Sequence, residues 1–141
     1  MALIGDKDRK AIQDRLKELV NPVKIVYFTQ ELECQYCRET RMLLEELTSL
    51  SDKISLLVYN FVTDKAVAEK YKIDKIPATI VMGEKDYGTR YYGIPAGYEF
   101  ASLLEDIIMV SKRESGLSEK TREKLKTVKE SLHFQVFVTP T

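Results

Sequence analysis

The chain has 141 residues, of which 44% are hydrophobic and 31% charged, a composition typical of one globular domain with a hydrophobic core. Its 22 basic and 22 acidic residues give a formal net charge of zero, which argues against nucleic-acid binding and against electrostatic recruitment to a membrane. No apolar run approaches the ~20 residues of a membrane-spanning helix, and the charged start lacks a secretory signal. We therefore expect a cytoplasmic protein, and the high charge content favours a thermophilic source.

Hydrophobic periodicity predicts alternating helices and strands along the first 110 residues. Amphipathic helices are predicted at 6–19, 37–50, 64–71 and 98–110, and strands rich in β-branched and aromatic residues at 23–29, 54–61, 78–82 and 87–92. Helices between the first three strands predict parallel neighbours with helices on both sheet faces, and the last two strands predict a hairpin. The expected fold class is α/β, with a four-stranded mixed sheet.

The remainder of the chain predicts one further helix and one further strand. Residues 112–116 are polar and end in a glycine, which is typical of a linker. Residues 117–131 have the pattern of a charged amphipathic helix, and residues 134–139 that of a strand. A helix followed by a strand repeats the start of the chain, and the segment VFVT at 136–139 is similar to VYFT at 26–29.

This weak repeat predicts two units of unequal size. Residues 1–113 form the first unit, and residues 114–141 are the linker, helix and strand that open a second unit cut short soon after its first strand. An apolar strand without its native neighbours is a template for pairing with another chain. We therefore expect self-association, most simply as a symmetric homodimer through the tail, the alternative being a tail that folds back on the first unit of a monomeric protein.

The two cysteines of the chain, Cys34 and Cys37, lie where the first predicted strand leads through a short loop into a helix. The helix N-terminus supplies unpaired N–H groups and the positive end of the dipole, which predicts a pKa for Cys34 near ~7 rather than ~8.5. Cys34 is then the candidate nucleophile, and Cys37, one turn further, the candidate resolving residue. Zinc needs four ligands, and the sequence has one histidine and no second C-x-x-C, so we expect no metal site. A structural disulfide and a zinc site shared by two subunits are the alternatives.

Five motifs carry a resemblance to a known family. They are Asn21-Pro22-Val23-Lys24, Cys34-Gln35-Tyr36-Cys37, Tyr71-Lys72-Ile73-Asp74 with Pro77-Ala78-Thr79, Tyr91-Tyr92-Gly93-Ile94-Pro95-Ala96-Gly97 with Glu99-Phe100, and Phe137-Val138-Thr139-Pro140-Thr141. Together they resemble the protein disulfide oxidoreductases of hyperthermophiles, glutaredoxin-like proteins made of two thioredoxin-fold units in tandem. In that family the last motif precedes a second C-x-x-C, before which this sequence ends. The resemblance implies a thioredoxin-like fold and dithiol exchange on protein disulfides, with a redox-active Cys34–Cys37 disulfide and no other cofactor.

The resemblance also implies roles for the residues around the cysteine pair. A proline at a strand entry is ordinary, and only ~5% of X–Pro bonds are cis, so elementary physics favours a trans Ile76–Pro77 bond. In thioredoxin-like proteins, however, the proline that faces the C-x-x-C is cis, and the backbone before it pairs with the substrate. The resemblance thus implies that Ile76 and Pro77, with Gln35 and Tyr36 of the motif, bind the substrate.

Three functions remain open at this point. The first is a dithiol–disulfide oxidoreductase of protein disulfides, with a thioredoxin-reductase-like flavoprotein as the expected electron donor. The second is a glutathione-dependent glutaredoxin, which requires an anion site near Pro77 and the last helix. The third is a non-catalytic adaptor unit of a larger redox protein. The buried carboxylate that thioredoxin keeps before its motif has no counterpart, because Tyr27 and Phe28 occupy that region, so proton transfer to Cys37 must use water or another acid.

Overall fold

The computed structural model describes residues 2–140 and builds them around one four-stranded sheet. The strands are β1 (Val23–Thr29), β2 (Ile54–Asn60), β3 (Ala78–Met82) and β4 (Tyr91–Tyr92), and the helices are α1 (Asp6–Leu16), α2 (Cys37–Thr48), α3 (Lys65–Lys70), α4 (Tyr98–Lys112) and α5 (Glu119–Leu125). The strand order is β2-β1-β3-β4, so β1 is central. Parallel and antiparallel pairs both occur, which confirms the predicted mixed sheet.

The direction of β3 corrects the prediction that the first three strands are parallel. β1 pairs in parallel with β2, but β3 runs antiparallel to β1, with Phe28 opposite Ala78 and Lys24 opposite Met82. A parallel crossover needs a helix that returns the chain along the whole strand. The six residues of α3 span about 9 Å, whereas the seven residues of β2 span about 23 Å. The chain therefore starts β3 near the end at which β2 finished.

The predicted return strand of the hairpin is shorter than expected. β4 has only two residues, which pair with Ala78 and Thr79. Before it, the Asp86 carboxylate accepts hydrogen bonds from the Gly88 N–H at 2.9 Å and from the Arg90 guanidinium at 2.6 Å. Gly88 has a φ of 90°, outside the range of a regular strand. The residues between Asp86 and β4 therefore form a loop held by its own side chains.

The helices cover both faces of the sheet, as predicted. Ile25 and Tyr27 of β1 face the side covered by α1, α2 and α4, where Leu44 and Ile107 are completely buried. Val26 and Phe28 face the opposite side, with Ala68 of α3 among their neighbours. Both faces of β1 are thus buried, which explains why its sequence is apolar at consecutive positions.

A tyrosine–carboxylate hydrogen bond joins the sheet edge to the last large helix and predicts a pH effect. Tyr91 of β4 donates to Asp106 of α4 at 3.1 Å. Burial raises the pKa of Asp106, and the hydrogen bond from Tyr91 opposes this rise. A raised carboxyl pKa in the folded state means that the native state binds the proton more tightly. Its stabilisation is therefore fully present below the unfolded pKa of about 3.9 and is lost as the pH rises through the folded pKa.

We therefore expect Asp106→Asn to increase the free energy of unfolding at pH 7 and to bring no gain at pH 3. The asparagine side-chain oxygen can still accept the hydrogen bond from Tyr91. Urea unfolding at both pH values measures the effect, with Asp52→Asn, at an exposed position, as the control. A lower free energy of unfolding for Asp106→Asn at pH 7 would contradict the argument.

The tail after α4 differs from the predicted helix and strand. α5 covers only seven residues and starts where the Ser118 hydroxyl accepts a hydrogen bond from the Thr121 N–H at 3.2 Å. The β-branched Thr127 and Val128 are weak helix formers, and both are exposed, so no buried packing extends the helix. In the described part of the chain, residues 134–139 form no strand, because a strand needs a neighbour for its backbone hydrogen bonds. The division into units 1–113 and 114–141 stays a prediction.

Candidate dithiol site

The two cysteines lie at the junction of the central strand and the longest helix of the first half of the chain. β1 ends at Thr29, a loop covers residues 30–36, and α2 begins at Cys37. Glu33, directly before Cys34, has a φ of 56°, a left-handed conformation that turns the chain toward the cysteine. Cys34 and Cys37 form a disulfide, with their Cα atoms 5.5 Å apart. The structure thus brings together the two sulfurs that the C-x-x-C spacing predicts to react with each other.

The two cysteines differ in exposure. Cys37 is only 2% exposed, whereas Cys34 is half-buried. The residues between them, Gln35 and Tyr36, are exposed, and 43% of Tyr36 is open to solvent. A substrate can therefore reach the sulfur of Cys34 more easily than that of Cys37, which supports the predicted division into a nucleophile and a resolving thiol. The roles themselves stay predictions.

Ile76 and Pro77 lie at the sheet end from which the cysteine loop departs. The bond between them is cis, as the resemblance implies and against the base-rate expectation of trans. Pro77 is buried, Ile76 is half-buried, and the Pro77 carbonyl accepts a hydrogen bond from the Gly93 N–H at 2.9 Å. Ala78 follows Pro77 and pairs with Phe28 near the end of β1. The antiparallel direction of β3 therefore puts Ile76 and Pro77 at this end, because a parallel β3 would begin at the opposite end of the sheet.

Buried hydroxyl groups lie beneath the start of α2. The Tyr27 hydroxyl donates to the Cys37 carbonyl oxygen at 2.6 Å, and the Thr40 hydroxyl donates to the Tyr36 carbonyl oxygen at 2.7 Å. Tyr27 and Thr40 are completely buried, and burial raises the pKa of Tyr27. Opposite Tyr27 in the sheet, the buried Thr79 hydroxyl has no hydrogen-bond partner among the described residues. These contacts were not predicted from the sequence, in which the available signal was a tyrosine hydroxyl among the apolar residues 25–28.

The described residues, 2–140, contain neither a cluster of metal-ligating side chains nor a helix suited to span a membrane. No group of three or more His, Cys, Asp or Glu side chains there is placed to hold a metal ion, and His133 is exposed. Within the same residues, no helix combines the length and the apolar character that crossing a membrane requires. The expectation that the chain uses no metal and no cofactor besides its disulfide stays a prediction.

The curated relatives are named as redox enzymes or parts of them, although no family model matches the chain. An NADH dehydrogenase of Bacillus subtilis (strain 168) is 32% identical over 101 residues, which are 70% of this chain and 17% of the relative. The F component of alkyl hydroperoxide reductase of Staphylococcus aureus (strain NCTC 8325 / PS 47) is 29% identical over 105 residues, 74% of this chain and 18% of the relative. The chain thus spans less than a fifth of the length of these relatives.

Solved structures match over a larger share of their length. A protein disulfide oxidoreductase from Aeropyrum pernix K1 is similar with a TM-score of 0.79 and 30% identity, over 88% of this chain and 55% of that one. A thioredoxin of Fasciola hepatica gives a TM-score of 0.54 at 18% identity, over 72% of this chain and 92% of that one, which shows the fold alone. The chain therefore has a thioredoxin-like fold with a C-x-x-C disulfide, and its resemblance to the protein disulfide oxidoreductases is confirmed.

Proposed function

We propose that the chain is a thiol–disulfide oxidoreductase that acts on protein disulfides through Cys34 and Cys37. The observation that carries the proposal is the disulfide between a half-buried and a buried cysteine at the start of α2. Cys34 is the more exposed of the two residues, which supports its proposed role as the attacking thiol, and the buried Cys37 is bonded to it, which supports its proposed role as the resolving thiol. The similarity to the Aeropyrum pernix protein disulfide oxidoreductase supports the same assignment. The disulfide is the redox group, and we propose no further cofactor.

The reduced pair would react in two exchange steps. The Cys34 thiolate attacks one sulfur of the substrate disulfide and forms a mixed disulfide, and the other substrate sulfur leaves as a thiolate that takes up a proton. Cys37 then loses its proton and attacks the Cys34 sulfur. The Cys34–Cys37 bond forms, and the second substrate sulfur leaves as a thiolate and is protonated. The substrate gains two electrons, and the cysteine pair loses them.

We propose four residues as substrate contacts. Gln35 and Tyr36 are exposed and lie between the two cysteines in the chain. Ile76 and Pro77 precede β3 at the sheet end from which the cysteine loop departs. An extended substrate segment could pair with the backbone before Pro77 while its disulfide lies against Cys34. This arrangement favours protein or peptide disulfides over small disulfides that lack such a backbone.

We propose a flavoprotein reductase of the thioredoxin-reductase type as the electron donor. Two relatives of this chain are named as an NADH dehydrogenase and as a component of alkyl hydroperoxide reductase, and in each the matched segment is a small part of a longer protein. The names favour a pyridine-nucleotide-linked reductase as the source of electrons. They also favour a second candidate function, in which the chain relays electrons within a larger redox protein rather than reducing diverse protein disulfides.

Reduction of insulin tests the proposed function. A thiol count should first give two free thiols after reduction and none in the oxidised chain. With a dithiol donor and no glutathione, we expect the chain to accelerate insulin reduction, followed as precipitation of the released B chain. Activity that requires glutathione would instead assign a glutaredoxin. The remaining outcome is that the cysteine pair is reduced and reoxidised normally while insulin reduction is not accelerated, with or without glutathione. That result would refute the proposal and favour electron relay within a larger redox protein.

The exposed tyrosine of the motif gives a prediction about substrate binding. We expect Tyr36→Ala to raise the KM for insulin several-fold, because it removes an aromatic contact beside Cys34, while the rate of reaction with a small disulfide stays unchanged. Steady-state kinetics with both substrates measure the difference. Tyr87→Ala is the matched control, since Tyr87 is 42% exposed and Tyr36 43%. An unchanged KM for insulin in Tyr36→Ala would contradict the assigned contact.

A further inference from the structure

We propose that Tyr27 is a positioning residue that holds Cys37 in place for the second exchange step. The proposal rests on the dithiol exchange proposed above and assigns a role to a residue outside the C-x-x-C motif. Its basis is the hydrogen bond from the Tyr27 hydroxyl to the Cys37 carbonyl oxygen, 2.6 Å long, between residues ten positions apart in the chain.

The burial of Tyr27 favours this hydrogen bond. The side chain is completely buried in the central strand, on the sheet face that α2 covers. A hydroxyl group buried without a hydrogen-bond partner destabilises the folded state, and although Thr29 and Thr40 also interact with the phenol, its short donated bond goes to the carbonyl of Cys37. The contact therefore fixes a backbone atom of Cys37 relative to the central strand of the sheet.

The start of α2 has few other polar constraints of this kind. Tyr36 is the N-cap residue, and its side chain makes no capping hydrogen bond. The Thr40 hydroxyl bonds to the Tyr36 carbonyl oxygen within the same turn, and it also interacts with the Tyr27 hydroxyl from the sheet. The hydrogen bond from Tyr27 to the Cys37 carbonyl differs from these contacts because it holds the backbone of the first residue of the helix.

The constraint matters most when the disulfide is open. In the oxidised chain, the covalent bond itself keeps the sulfur of Cys37 beside that of Cys34. After the first exchange step, Cys34 is bonded to the substrate. The position of the Cys37 sulfur relative to Cys34 then depends on the fold of the backbone and on non-covalent contacts. The Cys37 thiolate must then attack the Cys34 sulfur in line with the bond that breaks, and a small displacement slows such a reaction strongly.

The phenol acts by position and not as an acid. Its hydrogen points to a carbonyl oxygen, which does not change protonation during the exchange. Burial raises the pKa of Tyr27, so the hydroxyl group stays protonated and keeps donating while the thiols titrate. The proton that Cys37 loses goes to the departing thiolate or to solvent, as in the proposed exchange steps.

Reaction with 5,5′-dithiobis(2-nitrobenzoate) separates the two steps in the full chain. Mixed in equal amounts with the reduced chain, this disulfide releases one coloured thiolate when Cys34 attacks it and a second when Cys37 resolves the mixed disulfide. Tyr27→Phe keeps the aromatic ring and removes only the hydroxyl. We expect the second release to slow by about tenfold and the first to change by less than about twofold. Tyr91→Phe, which removes the partly buried tyrosine hydrogen bond to Asp106, should change neither.

The outcomes separate this inference from the proposed function. A second release at the normal rate in Tyr27→Phe would overturn the positioning role, as would equal slowing of both steps or the same effect in Tyr91→Phe. The assay uses a small disulfide and needs no protein substrate. If the unmodified chain fails to reduce insulin but releases both thiolates normally, the proposed substrate class is wrong, and the role of Tyr27 is still decided by its variant.

Discussion

Cys34→Ser is expected to abolish disulfide reductase activity, with a loss on the order of 10³-fold or more, the scale at which removing a catalytic nucleophile acts. Cys34 carries the more accessible of the two sulfurs in the chain, and Cys37 is 2% exposed. A serine hydroxyl is not ionised at neutral pH and cannot replace a thiolate in disulfide exchange. Insulin reduction measures the loss of activity. In the same variant the thiol of Cys37, which is buried, should react slowly with alkylating reagents.

The matched variant Cys37→Ser should fail at a different step. Cys34 can still attack the substrate, but no thiol resolves the product, so the mixed disulfide between Cys34 and the substrate accumulates. Mass spectrometry of the acid-quenched reaction detects this species as an added substrate mass. If Cys34→Ser accumulated the mixed disulfide and Cys37→Ser did not, the two roles would be reversed.

The sequence predicts those parts of the fold that depend on local pattern. The observed bounds of β1 and β3 coincide with the predicted 23–29 and 78–82, because consecutive β-branched and aromatic residues indicate strands buried on both faces. The direction of β3 was predicted wrongly, because a strand has the same pattern in either direction. Direction depends on how far the connection travels, and that distance is set by the short helix α3.

The candidate site likewise has one part that local sequence predicts and other parts that depend on how the strands pair. The cysteine pair follows from its spacing together with its context between a buried strand and a helix, because residues three apart at a helix start lie within bonding distance. The position of Pro77 beside the cysteine loop depends on the antiparallel pairing of β1 and β3, which the sequence does not specify. The tyrosine in β1 signals a buried hydroxyl, but its partner does not follow from the sequence for a related reason: in a strand that is buried on both faces, periodicity does not indicate which face contacts α2.

The tail gives the second large expected effect, which is self-association of the 141-residue chain. Phe134, Val136 and Phe137 are 82%, 84% and 88% exposed. Fully burying one such side chain contributes about 1.5–3 kcal/mol, and an apolar segment of this kind can pair as a strand with another chain. Because the side chains of Phe134, Val136 and Phe137 are this exposed, a second copy of the chain is a partner that can cover them. We expect a symmetric dimer at tens of micromolar.

Light scattering coupled to size exclusion measures this association as twice the mass of one chain. A version that ends at Gly116 should be monomeric. Because the described residues after 116 contribute none of the buried core, removing residues 117–141 should leave the sheet and its helices folded. The double variant Phe134→Ser/Phe137→Ser tests the same surface in the full chain and should also be monomeric. Val62→Ser, at a position 65% exposed outside the tail, is the control and should stay dimeric. A monomeric full chain, or a dimer that persists without residues 117–141, would contradict tail-driven association and leave the redox assignment of Cys34 and Cys37 unaffected.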